Sequence, residues 1–147
     1  MPTHSEIRRM PYTAQQMYDL VADVESYSKF LPWTAAARIR EIKDEGDRQV
    51  MLADLVISFK VFRERFGSRV TLWPDARRID TEYLDGPFSK MVSHWRFEDA
   101  EDGCDVHFDV DFAFRNKLLQ STATLFFNDA MQRVVRAFER RAAELYG

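Results

Sequence analysis

The chain has 147 residues and a mass of 17.3 kDa, enough for one domain that buries roughly two thirds of its unfolded surface. Twenty-one Lys and Arg against 24 Asp and Glu leave a formal net charge of −3, without the basic footprint that non-specific binding to DNA or RNA requires. A single cysteine, Cys104, excludes an internal disulfide and a Cys-based zinc site, and no stretch approaches the roughly 20 apolar residues of a membrane span.

The aromatic content is the first positive sign. Twelve Phe, five Tyr and three Trp exceed what a plain core requires, so an enclosed ligand is expected. "MPTHSEIRRM" carries no apolar signal region, so the chain is expected to be mature from its first residues. Neither a repeat nor a Gly/Ser linker divides residues 1–147, which are expected to form one domain.

In chain order, "THSEIRRM" reads as a strand ended by Pro11, which has no amide hydrogen to donate. Thr13 and Gln16 have capping-box spacing, and Met17, Leu20, Val21 and Val24 follow at helical intervals. "SYSKF" adds one helical turn, which Pro32 should stop. From Trp33 to Phe114 the pattern becomes six strands with turn signals between them, an antiparallel meander. The last of them alternates Val106, Phe108, Val110, Phe112 and Phe114 on an inner face with His107, Asp109, Asp111 and Ala113 on a wet one. Met91, Trp95 and Phe97 group in the strand before it, and Phe66, Val70 and Leu72 in an earlier one. Residues 117–146 contain no Gly or Pro, and Leu119, Ala123, Phe127, Met131, Val134, Phe138 and Leu145 form an apolar stripe. The resulting helix is roughly 40 Å long, enough to cross a whole sheet.

The predicted class is therefore α+β, a helix-grip fold: a curved seven-stranded antiparallel sheet wrapped around a long C-terminal helix, with two short helices after the first strand. In order and spacing, "YSKFLPW", "LDGPFSKMVSHWRF" and "VHFDVDFAFRN" resemble the coenzyme Q-binding protein family of START-like domains, which is grouped with polyketide cyclases and a bacterial ribosome-association toxin. One departure is Thr34, where many members carry a Cys after Pro-Trp.

The resemblance implies a non-enzymatic binder of an isoprenoid lipid, ubiquinone above all, in a cavity between sheet and helix. Such a chaperone would support respiratory electron transport or quinone biosynthesis. It would have a cytoplasmic location and transient contact with the inner membrane surface. Ubiquinone would be a ligand, with no cofactor or metal. Phe30, Leu31, Pro32 and Trp33 then become the wall or mouth of the pocket, against the plainer reading of a buried helix-to-strand corner. Phe59, Phe62, Trp95, Phe108, Phe112, Phe127 and Met131 complete the apolar lining. Trp33, Trp95, Tyr83 and Ser93 are donor candidates for a quinone head, whose carbonyls accept.

Phe59 and Phe62 flank Lys60, with Arg63 following, a pattern that fits a loop touching an anionic bilayer as well as a solvated strand turn. Arg133, Arg136, Arg140 and Arg141 share one side of the last helix, as a solvated face or as a contact for phospholipid or ribosomal RNA. The ribosome is the partner in the alternative, toxin-like reading. A cyclase-type enzyme needs an acid or base in the cavity, for which Asp54 and Glu64 are the only candidates raised. His4, His94 and His107 have no metal-binding spacing, and no catalytic motif is visible.

Overall fold

The computed structural model describes residues 3–59, 62–86 and 88–147. Strand β1 (Thr3–Met10) stops at Pro11, and α1 (Ala14–Ala22) begins behind a closed capping box. In that box Gln16 N–H donates to Thr13 Oγ1 and Thr13 N–H to Gln16 Oε1, each at 3.0 Å. Where a second short helix was expected, a 3-10 helix spans Val24–Lys29. The meander follows as β2 (Thr34–Asp44), β3 (Gln49–Phe59), β4 (Phe62–Trp73), β5 (Arg78–Asp85), β6 (Phe88–Ala100) and β7 (Gly103–Phe114). The long helix α2 runs from Lys117 to Tyr146, and Gly147 turns out of it at φ 85°.

All seven strands form one antiparallel sheet in the order β1-β7-β6-β5-β4-β3-β2. Strands β1 and β2 follow one another in the chain yet lie at opposite edges, so α1 and the 3-10 helix carry the chain across the open side. Because side chains alternate along each strand, Met51, Val70, Ile79, Phe97 and Val106 line the concave face and are buried. Helix α2 covers that face, with Phe138 as its main anchor. Its ring meets Tyr27, Phe30 and Trp95 edge-on at centroid distances of 5.6, 5.3 and 5.2 Å. The far end of α2 is tied to α1 where the Tyr146 hydroxyl donates to the Gln16 carbonyl at 3.0 Å. This is the helix-grip, START-like arrangement anticipated from the sequence.

Two details differ from the expected pattern. Ala113 was assigned to the wet face of β7 but is buried. Opposite it, β6 shifts register between Phe88 and Lys90, and Ser89 Oγ donates to the Ala113 carbonyl at 3.3 Å. Arg141 does not join the exposed arginine row: it is half-buried, with its guanidinium 5.5 Å from the Phe30 ring centroid, and it pairs with Glu144.

The convex face is held by ion pairs. Asp54 is only 7% exposed, yet it points outward, where Arg65 (2.8 Å), Arg40 (3.2 Å) and Arg38 (3.6 Å) surround its carboxylate. Arg65 also reaches Asp85 at 3.0 Å. A buried carboxylate persists only with such partners. They can approach because position 67 is glycine: a Cβ there would lie 2.3 Å from Asp85 Oδ1 and 3.3 Å from Asp54 Oδ1. Gly67→Ala is therefore expected to destabilise the protein by about 1–3 kcal/mol, the usual range for overpacking, read as a lower urea midpoint. An unchanged midpoint would show that the cluster adjusts freely.

Candidate functional site

On the concave face, Trp95 stacks on Phe108 at 4.2 Å and lies parallel to Phe97 at 6.1 Å. The register explains this, because Trp95 of β6 is directly opposite Phe108 of β7. A second aromatic group surrounds Phe88, which stacks on Phe114 at 4.8 Å and meets Phe66, Tyr83 and Phe112 edge-on at 5.2, 5.5 and 5.9 Å. Many of these rings are not sealed. Trp95, Met91, Tyr83, Phe88, Phe112 and Phe114 are half-buried although they belong to the inner face.

Between Met17, Trp95, Phe108 and Phe138 lies a half-open cleft that closes to a cavity of about 30 Å³. That is room for about one water molecule, so an apolar chain enters this end only if β1 and α2 part. The rim is charged. Glu6, Arg8 and Glu139 border the cleft, and Arg8 bridges the two carboxylates, at 2.8 Å to Glu6 and 2.6 Å to Glu139. His4 Nε2 lies 3.1 Å from Glu6 Oε1, and Gln132 donates to Glu6 at 3.4 Å. Strand β1 and helix α2 are thus latched by polar groups above an apolar floor.

These rim residues are absent from the sequence-based site. The signal that could have found them is the alternation His4, Glu6, Arg8, Met10, fixed inward because Met10 is buried opposite Cys104. Ile7, the one aliphatic residue mid-strand, stands 66% exposed on the convex side.

Of the opening motif, Phe30 and Leu31 pack against the core, while Pro32 and Trp33 are half-buried beside it. Trp33 adopts a left-handed backbone at φ 61°, and its carbonyl accepts from Ser58 N–H at 2.8 Å. Tyr27 fixes the same corner: its hydroxyl donates to the Val21 carbonyl, and burial raises its pKa. Phe108 is buried under the half-buried Trp95, Phe112 belongs to the Phe88 group, and Met131 is half-buried on α2. Phe59 and Phe62 are paired across β3 and β4. Their side chains, that of Phe127 and all of Lys60 lie outside the described residues, as do the side chains of Leu119 and Ala123. Arg63, Arg133, Arg136 and Arg140 are exposed, Arg133 paired with Asp129 at 3.2 Å.

The groups raised for acid–base chemistry lie elsewhere than in a dry pocket. Asp54 is clamped on the convex face and Glu64 is exposed. His94 pairs with Asp80 at 2.6 Å, and His107 approaches Arg96 at 3.3 Å. Both histidines border a larger hollow of about 270 Å³ on the convex side, shared with Arg78, Arg96 and Asp109. Its lining carries both signs of charge and offers little to an apolar ligand. Among the described residues no group of three His, Cys, Asp or Glu is placed to hold a metal, and no helix is long and apolar enough to cross a membrane.

Sheet, helix and aromatic inner face together define a START-like fold with a concave apolar face. The chain belongs to the polyketide cyclase / dehydrase and lipid transport family, whose model matches residues 10–139. It is 35% identical to the ribosome association toxin RatA of Rickettsia prowazekii, over 97% of this chain and 95% of that protein. It is 31% identical to the mitochondrial coenzyme Q-binding protein COQ10 homolog B of Xenopus laevis, over 98% of this chain and 59% of that one. Among solved structures, the 18 kDa protein CC1736 from Caulobacter crescentus superposes with a TM-score of 0.83 at 35% identity, covering 100% of this chain and 99% of that one.

Two expectations follow from the ionisable groups. Burial pushes Glu6 up, but Arg8 and His4 outweigh it and hold the carboxyl below its ordinary 4.5. Asp99 and Asp105, hydrogen-bonded by Arg77 and Arg9, are likewise held below their ordinary 3.8. Because the folded values lie below the unfolded ones, the stability they contribute is complete above about pH 4.5 and is lost as pH falls through the folded values. The urea midpoint should be flat from about pH 7 to 5 and fall steeply below about pH 4; a decline beginning near pH 6 would implicate other groups. Burial also pushes the Cys104 thiol up to about 11. A thiol reagent at about pH 8 is expected to leave the native protein unlabelled and to react fully in denaturant.

Proposed function

We propose that this protein binds a hydrophobic isoprenoid lipid, ubiquinone above all, between the concave face and α2, and acts as a non-catalytic lipid chaperone. The observation that carries this reading is the half-covered aromatic inner face, in which Trp95, Phe88, Phe112 and Phe114 retain unburied surface that one helix does not seal. Each CH2 buried there contributes about 0.8 kcal/mol, so one five-carbon isoprene unit contributes roughly 3–4 kcal/mol before ordering costs. The coenzyme Q-binding relative supports the choice of lipid. Asp54 is clamped on the convex face and Glu64 is exposed, so neither acid considered for cyclase chemistry sits in a dry pocket, which favours binding.

A second reading has its own support. The RatA-named relatives match over almost their whole length, and Arg133, Arg136 and Arg140 present an exposed basic row on α2. In this reading α2 contacts the ribosome and interferes with subunit association.

The test is to express the protein in a ubiquinone-producing bacterium, purify it without detergent and identify solvent-extracted lipids by mass spectrometry. Near-stoichiometric quinone, absent from a control protein, is the expected result. An extract still empty after deliberate quinone loading, together with a loss of joined ribosomes in a sucrose gradient, would overturn the lipid reading in favour of the second.

A further inference from the structure

One buried polar group on the concave face has no structural use. The Tyr83 hydroxyl is shut off from solvent and has no hydrogen-bond partner among the described residues. A phenylalanine would fill the same space without that cost, since an unpaired buried hydroxyl destabilises the fold that contains it.

The register shows what surrounds it. Tyr83 is directly opposite Ser68 of β4, and two residues back on the same face Thr81 is opposite Ser93 of β6. Ser68 and Ser93 are 3% and 8% exposed, the only buried uncharged polar residues of the described chain. Directly opposite side chains on one face are neighbours, and diagonal ones come within reach of a tyrosine. The hydroxyl-bearing residues Ser68, Tyr83, Thr81 and Ser93 are therefore neighbours across β4, β5 and β6 on an otherwise apolar surface, beside the rings of Phe66 and Phe88. No cation of these strands accompanies them. Arg65, Arg69, Arg78 and Arg96 alternate onto the convex face, and Arg8 is held by Glu6 and Glu139 at the far edge.

Hydroxyl donors without a cation suit a neutral acceptor and disfavour a carboxylate or phosphate, whose charge would be buried unpaired. We infer that Tyr83, with Ser68 and Ser93 beside it, forms the polar end of the ligand site and receives a neutral carbonyl, as on a quinone ring or another aromatic ketone. This rests on the lipid-binding reading and adds an orientation to it: the carbonyl-bearing ring goes in toward β4, β5 and β6, and the apolar tail trails along the Phe112 and Phe114 side. The carbonyl reaches the hydroxyl by displacing Phe88, which stands at the register shift where β6 begins.

The test uses Tyr83→Phe in the full chain, with decylubiquinone and decylbenzene as probes and tryptophan fluorescence as the readout. The wild type should bind decylubiquinone at least tenfold more tightly than decylbenzene. Y83F should lose about tenfold in decylubiquinone affinity, keep its decylbenzene affinity, and melt at the same or a higher temperature without ligand. That combination separates the role from a structural one, because deleting a useful structural hydroxyl lowers the melting temperature. A Y83F protein that binds decylubiquinone as the wild type does, or that melts several degrees lower, overturns the inference while leaving the lipid reading intact. A wild type that binds neither probe overturns both. Ser93→Ala supplies a second variant, expected to weaken decylubiquinone binding in the same direction with decylbenzene unaffected.

Discussion

Everything in this fold follows from a mismatch of area: seven strands present one concave surface, and a single 30-residue helix is the main element laid across it. Helix α2 seals the sheet where Phe138 meets Trp95, Phe30 and Tyr27, and there the interior contracts to about 30 Å³. Toward β6 and the end of β7 the inner rings stay half-covered. The molecule thus has one end closed by the α1 corner and the C-terminal half of α2, and another where Phe88, Phe112 and Phe114 are half-buried.

The same alternation that makes the concave face greasy sends the charges of β3 to β6 outward. Asp54 with Arg38, Arg40 and Arg65 is the clearest case, a buried carboxylate that stabilises the sheet from behind instead of serving chemistry in front. At the sheet margins the rule is relaxed: β1 brings Glu6 and Arg8 inward to meet Glu139, Asp99 at the end of β6 accepts from Ala14 N–H of α1, and the exposed Glu64 lies opposite Ile57. As a result the polar groups of the inner face fall into two sets of different character: ionic at the margins, and neutral hydroxyls at Ser68, Tyr83 and Ser93.

The fold was legible in the sequence because its signals are local. The capping box at Thr13, the two-residue period of β6 and β7 and the uninterrupted run before Gly147 each report the element in which they sit. The site was less legible because its determinants are not local. Trp95 declared itself by alternation, and Phe30 by its motif, but that motif could not reveal that the Phe30 ring would lie against Phe138. Glu6 and Arg8 were not legible because the strand reading of β1 assigned no faces, and only pairing of β1 with β7 decides them. Asp54 could be named only as an acid that a cyclase would need; that three arginines from β2 and β4 converge on it is a product of strand pairing. Ala113 is buried beside a register shift in the neighbouring strand, which no property of Ala113 encodes.

The two edges of the sheet bear on how the protein behaves in company. An open seven-stranded sheet exposes unpaired backbone amides and carbonyls along β1 and β2, which invite strand addition by a second molecule. Strand β2 is interrupted by register irregularities at Thr34/Ala36 and Ile39/Glu41 and carries Arg38, Arg40, Glu41 and Lys43. Strand β1 is short and has charged side chains on both faces. Neither edge offers a flat, apolar template, so copies of this chain can be crowded together with their aromatic interiors partly open and still resist fibril-like growth from the sheet margins.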